Sequence, residues 1–291
     1  MMKHEERVSN YRQRVEHFLR TYYANLRNEP QSTLFEAMEY SLMAGGKRIR
    51  STLALEFCRV SGGDWEKMIP MAAALEMIHT YSLIHDDLPC MDNDDFRRGK
   101  PTNHKVYGEA MAILAGDALL TDAFAVMASA ELPSDSLRLA LQVLSECAGS
   151  LGMVGGQVLD IQSQTRMLTE QEVLDIQTRK TGALIRAACA IGAIAGGATQ
   201  EQYEAACQYA SGIGLAFQIR DDMLDVIGTA EEMGKSVGTD SDKNTFVRLY
   251  GMEKCEKLVW QYTEYAVSAL QCFDDTDYLK QLAMDMATRM K

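Results

Sequence analysis

Two long stretches with helical apolar spacing, residues 65–88 and 199–228, each end in a cluster of aspartates. In "LIHDDLPCMDNDDFRRG" (83–99) Asp86, Asp87, Asp92, Asp94 and Asp95 crowd together, and in "FQIRDDMLD" (217–225) Asp221 and Asp225 stand four residues apart. Carboxylates this close resist ionisation unless a cation is shared among them. Each cluster therefore asks for a metal, a set of basic partners or open water. Asp221 and Asp225 project from one helical face, about 5–6 Å apart at Cβ, a pattern that a solvated acidic face shares. Asp86 and Asp92 are six residues apart, and a straight helix sends them to different sides. Pro89 resolves this, because it has no N–H and clashes with the preceding turn, so the helix ends or kinks and the chain carries Asp92 back.

The rest of the chain predicts an all-α fold. Only 5 prolines occur in 291 residues, Ala, Leu, Met and Glu abound, and β-branched runs are scarce. Helical spacing recurs over about 5–28, 32–43, 47–60, 65–88, 108–130, 134–164, 169–196, 199–228, 250–272 and 275–290, with Gly, Pro and small polar residues at the breaks. No linker, repeat or composition shift divides the chain, so residues 1–291 read as a single domain. The 7 cysteines are odd in number and never form a C-x-x-C pair, which excludes a disulfide frame or zinc site and fits a cytoplasmic protein. The N-terminus is charged where a signal peptide is apolar. The most apolar segment, 183–198, is too short for a membrane span and carries Arg186, so it reads as a buried helix.

A net charge of -12 disfavours nucleic acid as a partner. An anionic substrate then needs a local basic pocket or divalent cations. Two Asp-rich helix ends facing one cavity would offer hard oxygen ligands suited to Mg²⁺, whose shell substrate phosphates complete. No EF-hand loop suggests calcium. Cations stand at several helix ends: Lys47 and Arg50 in "GGKRIR", Arg97 and Arg98 in "RRGK", Lys180 beside Thr181, and Lys235 and Lys243 in "GKSVGTDSDKNTF". Singly, each reads as a surface charge. Together with the aspartates they point to a polyphosphate ligand. His79, two helical turns before Asp86, is a phosphate donor or a core histidine. No P-loop, Rossmann pattern or nucleophile elbow is present, so nucleotide hydrolysis and acyl transfer have no support.

The segments "GGKRIRS", "IHTYSLIHDDLPCMDNDDFRRGKPTNH", "AILAGDALL", "KTGALI" and "GLAFQIRDDMLDVIG" resemble, in order and spacing, those of trans-isoprenyl diphosphate synthases, and most of all bacterial farnesyl diphosphate synthases, over about residues 38–250. The resemblance implies a helical barrel around a deep cavity, a homodimer, and allylic and homoallylic diphosphates as substrates. It further implies that Asp86, Asp92, Asp221 and Asp225 bind Mg²⁺, three ions per site. Arg97, Lys180, Lys235 and Lys243 would contact the allylic diphosphate, and Lys47, Arg50, His79 and Arg98 isopentenyl diphosphate. Lys180, Thr181 and Gln218 would line the reacting end.

Tyr81, the fifth residue before Asp86, with Ser82 beside it, is by the resemblance the floor of the prenyl pocket and by its own chemistry equally a plain core aromatic. A bulky aromatic there is similar to the farnesyl type, and a smaller residue goes with geranylgeranyl synthases. Thr239, where many relatives carry Lys, makes the role of Lys243 less secure than that of Lys235; Phe246 stands where Tyr is common. A geranylgeranyl synthase is the near alternative. A class I terpene cyclase is a second class, though it usually carries a different second metal motif. A non-catalytic partner subunit typically loses an aspartate cluster, and both are intact here.

Overall fold

Helix α1 (His4–Ala24) buries Val8, Tyr11, Val15, Leu19 and Tyr23, the three-and-four spacing that places one helical stripe against a core. The computed structural model describes residues 4–163, 166–227 and 245–289, which are helical almost throughout. After α1 come α2 (Ser32–Leu42), α3 (Ile49–Val60) and α4 (Ile69–Asp86). A short hairpin follows, β1 (Phe96–Arg97) against β2 (Lys100–Pro101), with Phe96 opposite Pro101. Helices α5 (Asn103–Tyr107), α6 (Glu109–Ala128), α7 (Ser134–Ala148) and α8 (Met153–Ser163) lead to α9 (Glu170–Gln177). A π-helical turn, Thr178–Gly182, joins α9 to α10 (Ala183–Gly196) without a break. Then come α11 (Gln200–Ile227), α12 (Phe246–Tyr250), α13 (Met252–Ser268) with a 3₁₀ turn at Ala269–Cys272, and α14 (Asp277–Thr288).

The all-α expectation holds, and most helices fall near their expected bounds. One differs: 134–164, read as a single helix, is two. Position 152 explains the break, because a Cβ there would lie 2.7 Å from the Glu146 carbonyl oxygen, a turn that glycine alone fits. The hairpin and the short helices α5 and α12 lack the length to show a period in sequence.

The core centres on α3, α4 and α10, where Leu53, Phe57, Leu75, Ile78, Leu184 and Ile191 are fully buried. Small residues bring these helices close: a Cβ at Gly192 of α10 would sit 2.9 Å from Phe57 Cβ on α3. Helix α4 packs along α6, and α11 along α13. Helix α6 is long and apolar enough to cross a bilayer by length and composition, but it carries Asp117 and Asp122 and lies against α4 in the bundle.

One ionic cluster ties α1 to α3. Glu56, with no exposed surface, accepts from Arg7 (2.9 Å), Arg59 (2.8 Å) and the Tyr11 hydroxyl (3.0 Å). Removing the carboxylate strands the Arg7 guanidinium in a nearly dry setting, while Arg59 keeps Asp275 at 2.7 Å. We expect Glu56→Leu to lower unfolding free energy by about 3 kcal/mol in urea titration, and a loss below about 1 kcal/mol would show that the cluster is structurally idle.

Candidate active site

The α4 end behaves as Pro89 foretells. The helix stops at Asp86, and the chain reverses so that the Asp92 N–H donates to the Asp86 carbonyl at 2.8 Å. Asp87 is buried and accepts from Arg97 Nε at 2.6 Å, while Arg97 Nη2 reaches Asp94 at 3.3 Å. Asp95 pairs with Lys105 at 2.6 Å. The inner aspartates of the cluster thus brace the hairpin that carries Arg97. Asp86 remains at the helix tip, its carboxyl pushed up to about 6 by burial and by Asp92 and Asp87, against the pull of Lys180 and Arg97.

Asp86 and Asp221, one from each acidic motif, line one cavity of about 720 Å³. The two helix tips converge as the sequence suggested. Asp92 is exposed and Asp225 half-buried, and neither lines that cavity. Asp221 Oδ1 accepts from Arg289 Nη2 at 2.5 Å. The Arg289 guanidinium also lies 4.0 Å over the Phe217 ring and donates to the Phe217 carbonyl at 3.2 Å. Sequence reasoning did not single out Arg289; no local pattern marks it.

Lys180 and Thr181 enter the cavity on the π turn, which inserts one residue relative to an α-helix and so re-aims the side chains within it. Lys180 Nζ pairs with Asp160 of α8 at 2.6 Å. Gln218 Nε2 donates to Thr181 Oγ1 at 3.0 Å and to Gln177 Oε1 at 2.6 Å. Helix α8 comes close enough only because position 156 has no side chain: a Cβ there would lie 2.7 Å from Lys180 Cα. Asp160 and Gly156 were missed in sequence; "GGQVLD" (155–160) holds a signal, since Gln157 and Asp160 are polar and one turn apart in an apolar stretch.

Arg50, His79 and Arg98 form a cationic corner of the same cavity. Arg98 has φ +54° and donates to the Gly45 carbonyl. A Cβ on Gly46 would stand 2.8 Å from its Cζ, so the glycine pair lets the guanidinium lie flat. Arg50 is lowered to about 10 by burial, with Glu76 opposing and Arg98 adding, and its buried Nε has no hydrogen-bond partner. Burial, then Arg50, Arg98, Arg97 and Arg48, hold His79 well below the usual histidine range, so it is neutral at pH 7. Cations crowded this way, one buried donor unmet, make a site for an anion.

Tyr81, buried, and Ser82 line the cavity too, and its far wall is apolar, from Ile113 on α6 and Val154, Val158 and Ile161 on α8. Lys47 is placed elsewhere: it is exposed and lines an outer groove of about 750 Å³ together with Arg12 and Arg289. Phe217 borders both spaces. Lys235 and Lys243 lie outside the described residues.

A helical bundle whose two acidic helix tips and cationic corner share one cavity is the architecture of enzymes that transfer prenyl groups between diphosphates. Residues 31–281 match the polyprenyl synthetase family, and the chain belongs to that family. It is 47% identical over 264 residues to a farnesyl diphosphate synthase of Micrococcus luteus, covering 90% of this chain and 91% of that one. It is also 47% identical over 250 residues to a geranylgeranyl diphosphate synthase of Cyanophora paradoxa, covering 83% of this chain and 82% of that one. Among solved structures it is similar to a geranyltransferase of Helicobacter pylori complexed with magnesium and isoprenyl diphosphate, with a TM-score of 0.83, 32% identity, and 97% and 95% of the two chains covered.

Proposed function

We propose that the chain, acting as one polyprenyl synthase domain, is a Mg²⁺-dependent head-to-tail prenyltransferase that condenses dimethylallyl or geranyl diphosphate with isopentenyl diphosphate to give farnesyl diphosphate. The observation that carries this reading is the convergence of Asp86 and Asp221 on a cavity that also holds Arg98 and Arg50, whose Nε has no partner. One end takes cations and the other an anion, as two diphosphates sharing one chamber require.

The carboxylates fit Mg²⁺. Asp86 resists ionisation where it stands, which a divalent ion would reverse. Among the described residues no three His, Cys, Asp or Glu side chains converge closely enough to hold an ion by themselves. That suits ions completed by substrate phosphate, the usual habit of magnesium. Asp86, Asp92, Asp221 and Asp225 would hold a cluster of three. Bound Mg²⁺ supplies charge neutralisation of the departing pyrophosphate as the allylic C–O bond ionises. Lys180, steadied by Asp160, and Arg97, steadied by Asp87, add positive charge on the same group, with Lys235 and Lys243 completing the set. Thr181 and Gln218, both lining the cavity, would stabilise the allylic cation by the dipoles of their oxygens. Arg50, Arg98 and neutral His79 hold isopentenyl diphosphate, with Lys47 reaching in from the outer groove. The final proton leaves to pyrophosphate, so no protein base is needed. Leu114 and Val106, both exposed, are apolar surface that a homodimer would cover.

Purified protein incubated with labelled isopentenyl diphosphate, geranyl diphosphate and Mg²⁺ tests the reading. A fifteen-carbon product that EDTA abolishes supports it; hydrocarbon made from one allylic substrate alone would replace it with a cyclase. Within this frame Arg50→Met should raise KM for isopentenyl diphosphate about 100-fold while moving KM for the allylic substrate less than about threefold. Equal rises in both constants would remove Arg50 from the homoallylic subsite.

A further inference from the structure

The floor of the prenyl pocket reads in sequence as Tyr81, with Ser82 beside it. The structure puts a second ring beside it. His85 is one turn further along α4 and also lines the cavity, and the two rings meet edge to face with centroids 5.8 Å apart. We propose that His85 is a positioning residue for product length, holding the Tyr81 ring across the apolar limb of the cavity while itself being held from α6. This rests on reading that limb as the prenyl pocket.

The hold on His85 has three parts. Its Nε2 lies 3.1 Å from the Ile113 carbonyl oxygen. A carbonyl only accepts, so Nε2 carries the proton and donates. Asp117 Oδ1 lies 3.9 Å from the same nitrogen. Gly116 supplies the space: a Cβ there would fall 2.5 Å from His85 Cδ2 and 2.8 Å from Cε1, so any side chain at 116 evicts the imidazole. Position 116 therefore stays small for the sake of a ring on another helix. Tyr81 is buried and α4 is packed along α6, so the imidazole edge is what fixes the attitude of the phenol ring toward the limb that Ile113, Val154 and Val158 enclose.

Three variants test this by product length, measured by gas chromatography of dephosphorylated products and normalised to total turnover. Gly116→Ala displaces the imidazole without altering either ring residue. His85→Gln keeps an N–H for the Ile113 carbonyl and removes the ring. Tyr81→Ala removes the floor. We expect Gly116→Ala and His85→Gln each to raise the proportion of products longer than the wild-type product about tenfold, the discrimination a small change in an apolar pocket carries. Because His85 acts through Tyr81, adding His85→Gln to Tyr81→Ala should change that proportion less than about twofold. A merely structural role would lower turnover and leave the length distribution alone. Wild-type length in His85→Gln overturns the proposal, and so does a full additive shift in the double variant, even where Tyr81→Ala alone lengthens the product. If Gly116→Ala does not fold, His85→Gln and the double variant decide. A wild-type protein that extends no allylic diphosphate overturns the synthase reading, and this proposal with it.

Discussion

Replacing Asp86 by Asn should lower kcat about 1,000-fold and at the same time make the metal-free protein more stable at pH 7.5. The activity loss follows from removing a hard oxygen ligand where charge develops on the leaving diphosphate. The stability gain follows from the direction of the Asp86 shift. Burial first, and then Asp92 and Asp87, raise its carboxyl from the ordinary 3.8 to about 6. Between those values the folded chain holds a proton that the unfolded chain has lost. Stability from this group is therefore greatest below about pH 4 and declines as pH rises through 6. At neutral pH the native state carries an unwelcome charge, on the order of 1–2 kcal/mol after allowing for its partial contact with water. Asparagine keeps the shape and removes that charge. Thermal denaturation in EDTA should show the variant unfolding above wild type, with a flatter stability profile between pH 4 and 6. A variant less stable than wild type under those conditions would mean that Asp86 is a structural carboxylate.

Gly156→Ala should be a damaging substitution behind the cavity wall. Its new methyl would lie 2.7 Å from Lys180 Cα, a clash with backbone, with no flexible side chain to yield. Helix α8 must then withdraw from the π turn, and Asp160 withdraws with it from Lys180. Overpacking of this kind costs about 1–3 kcal/mol. A displacement near 1 Å at a charge-stabilising lysine costs about 100-fold in kcat. Urea titration and steady-state kinetics with both diphosphates read the two effects. Unchanged kcat with lowered stability would show that Lys180 does not depend on α8 for its placement.

What could be read in sequence was what one segment decides for itself. Pro89 ends α4 through its own ring, so the return of Asp92 to Asp86 was legible, and the four-residue step from Asp221 to Asp225 defined one face of α11. Arg50 and Arg98 were legible as cations near glycines, though the reason for Gly46, a guanidinium lying flat on it, was not. Features that depend on two helices meeting were invisible. Gly156 and Asp160 matter because of where residues 178–182 pass, and Arg289 matters because α14 returns to α11. Lys47, one turn from Arg50 in the chain, opens onto the outer groove because the backbone turns at Arg48, whose φ is +51°. The break of 134–164 at Gly149–Gly152 was hidden by apolar spacing that continued across it.

The π turn stores its information as a surplus of one residue. Deleting a single residue between Thr178 and Gly182 would let the segment relax into ordinary α-helix, a more comfortable backbone that keeps the flanking helices nearly in phase, while re-aiming the side chains within the turn. The lysine and threonine that face the chamber would be re-registered by that one excision. Length, and not only residue identity, is thus part of what this stretch of polypeptide encodes.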